Sequence, residues 1–202
     1  FPFIRLSLLD VEGLGALLLQ SDKDILILTT YEDVSPKSLE FRNPVSVGHT
    51  CNKIFLIRNP FDLFASRMLK PDRKTDVTYN IKQAWKDYAY SCINNPCFSN
   101  SDYLCVIYDR FISDSYYKKS LCLMLGIAYS EEGLSRVSSI GGGSSFDGVK
   151  FDREAAKMCV NERWKGLVNN KEYLSLFDAE ILELAFLLFG DSEALQEVRK
   201  RV

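Results

Sequence analysis

The sequence predicts an α/β fold in which a parallel sheet is flanked by helices. Three short apolar runs have the length and β-branched content of buried strands, and each is followed by polar residues and a helical pattern. The chain has 202 residues and is 47% hydrophobic, which predicts a single domain over residues 1–202. Because the net charge is −2, we expect no nucleic-acid partner.

The predicted elements alternate along the chain. Strands are predicted over residues 24–30, 53–57 and 103–108, and helices over 10–20, 62–70, 78–93 and 116–125. Between 135 and 152 the composition shifts to Ser and Gly, which predicts a loop. The tail from Asp152 is predicted to be helical, with two apolar stripes: Val160, Trp164 and Leu167, and then Ile181, Leu184, Ala185 and Leu188.

The stretch from Lys53 to Lys70 is the most informative part of the chain. Its apolar strand stops at Asn59-Pro60, which places Arg58 at the carboxyl end of the strand. Proline suits the first turn of a helix, and Ser66 follows within that helix. Ligands of open α/β sheets bind beyond strand carboxyl ends, and a guanidinium near a helix start can bind phosphate. We therefore expect an anion site here, although an ordinary strand, turn and amphipathic helix would give the same pattern.

The run Arg58-Asn59-Pro60-x-Asp62-x-x-x-Ser66-Arg67 resembles the signature of sulfotransferases that use 3'-phosphoadenosine-5'-phosphosulfate (PAPS). The resemblance implies a P-loop NTPase-like sulfotransferase fold. It also implies that Arg58 and Ser66 bind the 3'-phosphate of the donor, with Asp62 supporting the turn. PAPS would then be the donor, 3',5'-adenosine bisphosphate (PAP) the product, and a small molecule or carbohydrate the acceptor. No metal is implied.

A late glycine-rich loop is a second candidate phosphate-binding segment. Glycines let backbone amides approach an anion, and Phe146 would either stack on adenine or anchor the loop. A flexible surface linker is the alternative. The resemblance implies that this loop closes over the 3'-phosphate. The residues of the loop differ from the family's Arg-Lys-Gly motif, and the run Arg163-Trp164-Lys165-Gly166 comes later in the chain. The candidate residues are Gly142, Gly143, Ser144, Ser145 and Phe146.

Two residues are candidates for the base that activates the acceptor. His49 is the only histidine, and imidazole titrates near neutral pH. The resemblance implies a histidine upstream of the signature strand, but the spacing here is shorter, and a loop histidine without a role is the alternative. Glu32 would act if burial raised its pKa, and otherwise it caps a helix or pairs with a lysine. Tyr108-Asp109 resembles the tyrosine-acid pair that orders the family's site.

A glycine-rich loop that would cradle the 5'-phosphosulfate cannot be recognised in the sequence. Gly13-Leu14-Gly15 has no predicted strand before it and no adjacent lysine. Since the chain begins with Phe1, we expect an N-terminally truncated fold. The alternative function is a catalytically inactive nucleotide-binding fragment or scaffold. A kinase-like phosphoryl transferase would need a Walker motif and a magnesium-binding acid, neither of which can be read here.

The six cysteines show no paired spacing typical of zinc sites. We expect reduced thiols in a cytoplasmic protein, whereas a secreted protein would allow a Cys92–Cys97 disulfide. No apolar run is long enough for a membrane span.

Overall fold

Two pairs of parallel strands and seven α-helices lie in the part of the chain that the structure describes. The structure is a computed structural model that describes residues 3–5, 26–28, 35–36, 53–69, 80–94, 103–131, 133–137 and 147–202. The chain divides into two compact units, Phe1–Cys51 and Asn52–Val202. The predicted mixed α/β character with parallel strand pairs is confirmed, whereas the sulfotransferase fold and the single domain stay predictions.

The first unit contains a pair of three-residue strands. Strand β1 (Phe3–Arg5) runs parallel to β2 (Leu26–Leu28). The strand predicted over residues 24–30 is therefore confirmed at its centre. The expectation that no strand precedes Gly13 was wrong, because three residues are too few to display the alternation by which a strand is recognised. The predicted helix over 10–20 lies outside the described residues.

The second unit is built around β3 (Lys53–Ile57) and β4 (Tyr103–Ile107), which pair in parallel register from Lys53 opposite Tyr103 to Ile57 opposite Ile107. Helices α1 (Pro60–Met68) and α2 (Asn80–Asn94) connect them, as parallel pairing requires. After β4 the chain forms α3 (Tyr108–Ser113), α4 (Ser115–Met124), α5 (Lys171–Leu174), α6 (Ala179–Phe189) and α7 (Glu193–Arg199). Among the described residues, no helix combines the length and apolarity needed to cross a membrane.

The core of the second unit lies between β3, α1, α2 and the C-terminal helices. Phe64 of α1 is 0% exposed, and its ring lies 6.4 Å from Trp85 and 5.5 Å from Phe177, measured between centroids. Tyr173 of α5 is equally buried, and its hydroxyl donates a 3.0 Å hydrogen bond to the Phe61 carbonyl. These contacts pack the C-terminal part of the chain directly against the helix that follows β3.

The tail is less helical than predicted between Asp152 and Leu167. Instead of one helix, the chain forms 3₁₀ turns at Ala155–Lys157 and Arg163–Gly166. The Lys165 and Leu167 amides bond to carbonyls three residues earlier, and the Arg163 amide bonds to a side chain of another element. Tertiary contact therefore replaces the helical ladder that the apolar spacing suggested.

The second stripe of the tail is confirmed. Ile181, Leu184 and Ala185 are buried on one face of α6. The side chain of Asp178 caps this helix by accepting a 2.9 Å hydrogen bond from the Ile181 amide, and Gly190 ends it at a φ of 74°, which favours glycine.

Lys86 joins α2 to the start of α6. Its ammonium lies 3.0 Å from the Asp178 carboxylate and also binds Glu180. The lysine side chain is only 12% exposed. Its replacement removes the ammonium group that Asp178 and Glu180 share. We expect Lys86→Met to lower the free energy of unfolding by about 1 kcal/mol, a value discounted for the exposed carboxylates. Urea titration measures it, with the exposed Lys165→Met as the control, and equal losses in both variants would contradict the prediction.

Candidate anion-binding site at the β3–α1 turn

The turn after β3 is closed by its own side chains. Asn59 caps α1, since its side-chain oxygen accepts a 2.8 Å hydrogen bond from the Asp62 amide. Pro60 occupies the first helical turn, where a missing N–H is harmless. The prediction that a helix starts at this turn is confirmed, and Arg58 stands at the carboxyl end of β3.

The turn after β4 lies directly beside it. Because β3 and β4 are parallel neighbours, their carboxyl ends meet at the same edge of the sheet. Asp109 accepts a 3.0 Å hydrogen bond from the Asn59 amide and a second one from the Asn59 side chain. The Tyr108-Asp109 pair therefore orders the first turn through its carboxylate.

Arg58 is held from three sides. Its guanidinium donates to the Val160 carbonyl and lies 5.2 Å from the centre of the Tyr108 ring. Its own carbonyl accepts a 2.9 Å hydrogen bond from the Trp85 indole. The Nε of Arg58 is buried and has no hydrogen-bond partner among the described residues. Arg58 is therefore positioned by the protein while one of its donors stays unused.

Asp62 ties this turn to a segment 101 residues further along the chain. Its carboxylate accepts hydrogen bonds from the amides of Arg163, at 2.7 Å, and Trp164, at 3.3 Å. The Asn59 side chain donates a third, at 3.1 Å. The predicted supporting role of Asp62 thus extends beyond its own turn, because this carboxylate fixes the 3₁₀ turn that carries Arg163.

Arg163 contacts Ser66, one of the predicted phosphate-binding residues. Its Nη1 donates a 3.1 Å hydrogen bond to the Ser66 hydroxyl, and the Ser66 side chain is buried within α1. Burial lowers the pKa of Arg163, and the nearby charge of Arg58 lowers this pKa further. The opposing influences, which raise the pKa, come from Asp147, Tyr108 and Asp62. The two guanidinium groups are therefore close enough to repel each other, and an anion between them would relieve that repulsion.

The structure brings together two of the predicted site residues, Arg58 and Ser66, and adds Arg163. The sequence analysis named Arg163 only as part of Arg163-Trp164-Lys165-Gly166, because its contact with Ser66 spans 97 residues. The candidate bases His49 and Glu32 lie outside the described residues, as does the predicted loop with Gly142, Gly143, Ser144, Ser145 and Phe146.

Comparison with known proteins assigns this chain to no family. No family model, curated protein or solved structure matches this chain. The resemblance to the sulfotransferase signature thus stands on the motif from Arg58 to Arg67.

The flanks of the predicted glycine-rich loop are fixed to the protein. On one side the Val137 amide donates a 3.0 Å hydrogen bond to the Asp152 carboxylate, and the Ser135 carbonyl accepts one of 3.1 Å from Ala155. On the other side Asp147 is close enough to raise the pKa of Arg163. Asp147, the residue after the candidate Phe146, therefore lies within electrostatic range of the site.

Among the described residues, no three His, Cys, Asp or Glu side chains are grouped so that they would hold a metal ion. The chemistry offered by the described site is that of guanidinium and hydroxyl donors, which suits phosphate or sulfate oxygens.

The pKa of Asp62 gives a test of its burial. Burial raises this pKa, against the lowering influence of Asn59, Arg58 and the two amides. A raised folded-state pKa means that the folded protein holds the proton more tightly, so this contribution to stability is present below 3.8 and is lost as pH rises through the raised value. We expect wild type to lose stability relative to Asp62→Asn over that window. Urea titrations from acidic to neutral pH measure this difference, and a difference that does not change with pH would contradict it.

Proposed function

We propose that the chain binds the 3'-phosphate of PAPS between Arg58, Ser66 and Arg163. As a PAPS-dependent sulfotransferase, it would move the sulfuryl group to a hydroxyl or amine of a small-molecule or carbohydrate acceptor. The observation that carries the proposal is the hydrogen bond from Arg163 to the buried Ser66 hydroxyl, close to the charge of Arg58 at the carboxyl end of β3. A terminal phosphate fits this arrangement because it carries several acceptor oxygens and about two negative charges.

Binding would be favoured by preorganisation of the turn. Asp62 and Asp109 hold the backbone through amide hydrogen bonds. The cationic groups are thus fixed before the ligand arrives, which reduces the ordering cost of binding. The unused Nε of Arg58 leaves one donor that a phosphate oxygen would satisfy after a small side-chain adjustment.

The transfer step would be an in-line displacement. The acceptor oxygen or nitrogen forms a bond to the sulfur of PAPS, the bond from sulfur to the 5'-phosphate oxygen breaks, and PAP leaves. His49, or else Glu32, would take the acceptor proton. Backbone amides and hydroxyls of the loop that contains Gly142, Gly143, Ser144, Ser145 and Phe146 would contact the nucleotide. The roles of His49 and of the loop follow from the motif resemblance, whereas that of Glu32 follows from its position after the strand predicted over residues 24–30.

A protein that binds the nucleotide without turnover is the second candidate. It uses the same Arg58, Ser66 and Arg163 contacts and differs only in the transfer step. Release of PAP from PAPS in the presence of an acceptor panel distinguishes the two, because only the enzyme releases PAP faster than buffer does.

Titration calorimetry with PAP tests the binding site. We expect micromolar binding by the full chain, and at least about tenfold weaker binding by Arg58→Ala or Arg163→Ala, because each loses charge-assisted hydrogen bonds. Arg199→Ala is the matched control, since this exposed arginine lies in α7 against Phe186 and should leave affinity unchanged. Adenosine 5'-phosphate, which lacks the 3'-phosphate, should bind more weakly than PAP. Equal affinities for wild type and both site variants, or no binding of PAP by the folded chain, would overturn the proposal.

A further inference from the structure

Two cysteines, one on α2 and one on β4, lie together in the core of the second unit. Cys92 lies on α2 and is 6% exposed, whereas Cys105 lies in the middle of β4 and is 2% exposed. Both belong to one cluster of buried residues. The sequence allows a Cys92–Cys97 disulfide in a secreted protein, but Cys97 lies outside the described residues, whereas Cys105 lies beside Cys92.

The packing of α2 on the sheet explains why these thiols face each other. Phe55 of β3 is the register partner of Cys105, so both side chains project from the same face of the parallel pair. The Phe55 ring packs against Tyr88 of α2, with 5.3 Å between ring centres. Cys92 follows Tyr88 by one helical turn and therefore reaches the neighbouring strand. The two cysteine side chains are within hydrogen-bonding distance of each other.

We propose that Cys92 and Cys105 form a reversible disulfide that joins α2 to β4 when the protein meets a peroxide. One thiolate would attack hydrogen peroxide, forming a sulfur–oxygen bond and breaking the oxygen–oxygen bond, and the hydroxide that leaves takes up the proton lost by the thiol to give one water molecule. The other thiol then displaces the hydroxyl of the sulfenic acid, which forms the sulfur–sulfur bond and releases a second water. The protein loses two electrons and two protons, and the peroxide is reduced.

Cys105 is the better candidate for the attacking sulfur. The hydrogen bond from Cys92 lowers the pKa of Cys105, while burial acts in the opposite direction. A lower pKa increases the thiolate fraction, and only the thiolate reacts. Cys92 then lies within contact range as the resolving thiol. A small neutral oxidant such as hydrogen peroxide suits a pair so deeply buried.

The experiment uses the full chain in its native state. The protein is treated with hydrogen peroxide, its remaining thiols are alkylated, and a protease that cleaves before aspartate releases residues 87–101 and 102–108. We expect these two peptides to be recovered as one covalent species, two hydrogen atoms lighter than their sum, and to separate after treatment with dithiothreitol. The linked species should persist in Cys97→Ser, because Cys97 shares the first peptide, and it should be lost in Cys92→Ala.

Three results would overturn the proposal. Recovery of residues 102–108 with Cys105 fully alkylated, under conditions that oxidise the exposed Cys159, would show that the buried pair does not react. A lighter form of residues 87–101 alone would assign the bond to Cys92 and Cys97. Loss of the link in Cys97→Ser would assign it to Cys97 and Cys105. The wild-type and Cys97→Ser results decide the matter even where Cys92→Ala does not fold.

Discussion

Asp62→Ala should lower both the stability of the protein and its affinity for PAP. Without the carboxylate, the amides of Arg163 and Trp164 and the side chain of Asn59 each lose an acceptor. Unsatisfied buried donors cost about 1–3 kcal/mol each, and removal of a buried charge offsets part of this, so we expect a loss of about 2–4 kcal/mol. Urea unfolding measures the stability, and calorimetry below the unfolding transition measures the affinity.

The affinity separates a positioning role from a purely structural one. Asp62 fixes the turn that carries Arg163, so the folded fraction of Asp62→Ala should bind PAP more weakly than wild type does. Asp114→Ala is the matched control, because the Asp114 carboxylate also accepts a hydrogen bond from a backbone amide, that of Tyr117 at the start of α4. That variant should be less stable than wild type but unchanged in affinity. Wild-type affinity in folded Asp62→Ala would show that Arg163 reaches its place without the carboxylate.

Phe64→Ala should cause a similarly large loss of stability. The ring is completely buried between Trp85 of α2 and Phe177, which follows α5. Truncation removes the apolar contacts and leaves a cavity between elements from distant parts of the chain. Phenylalanine-to-alanine changes in cores cost about 3–5 kcal/mol. Urea or thermal unfolding measures the change.

Phe186→Ala provides the comparison for this prediction. Phe186 is 45% exposed and its ring lies 5.5 Å from the Arg199 guanidinium carbon, so its removal leaves no closed cavity. We expect its loss to be well below that of Phe64→Ala. If the two variants unfolded at the same urea concentration, Phe64 would not hold α1 against the C-terminal helices in the way described.

Local patterns predicted the strand and helix around the β3–α1 turn because each signal lies within a few residues of the structure it specifies. Proline, the capping Asn59 and the apolar run are all read without knowledge of the rest of the chain. The sequence did not predict that the residues after Val160 would form a 3₁₀ turn instead of an α-helix. That departure depends on Asp62, which competes for the Arg163 amide from outside the segment.

The same distinction applies to the site. Arg58 and Ser66 were found because one short motif contains both, whereas Arg163 was one basic residue among several in the tail. Only the folded chain distinguishes Arg163 by placing its guanidinium on the Ser66 hydroxyl. Helix α3 was also missed, because six residues are too few to show the apolar stripe by which a helix is recognised.

The bond between Asp62 and the Arg163 amide also bears on how the protein is made. A ribosome completes the segment from Arg58 to Arg67 long before it adds Arg163, so the nascent chain at first carries Arg58 and Ser66 without the residue that bonds Ser66 in the folded protein. The contact between Arg163 and Ser66 then forms only after the distant segment has been synthesised and has docked. Contacts between residues far apart in sequence form slowly. A premature stop at residue 157 would leave every residue of the signature in place and remove Arg163.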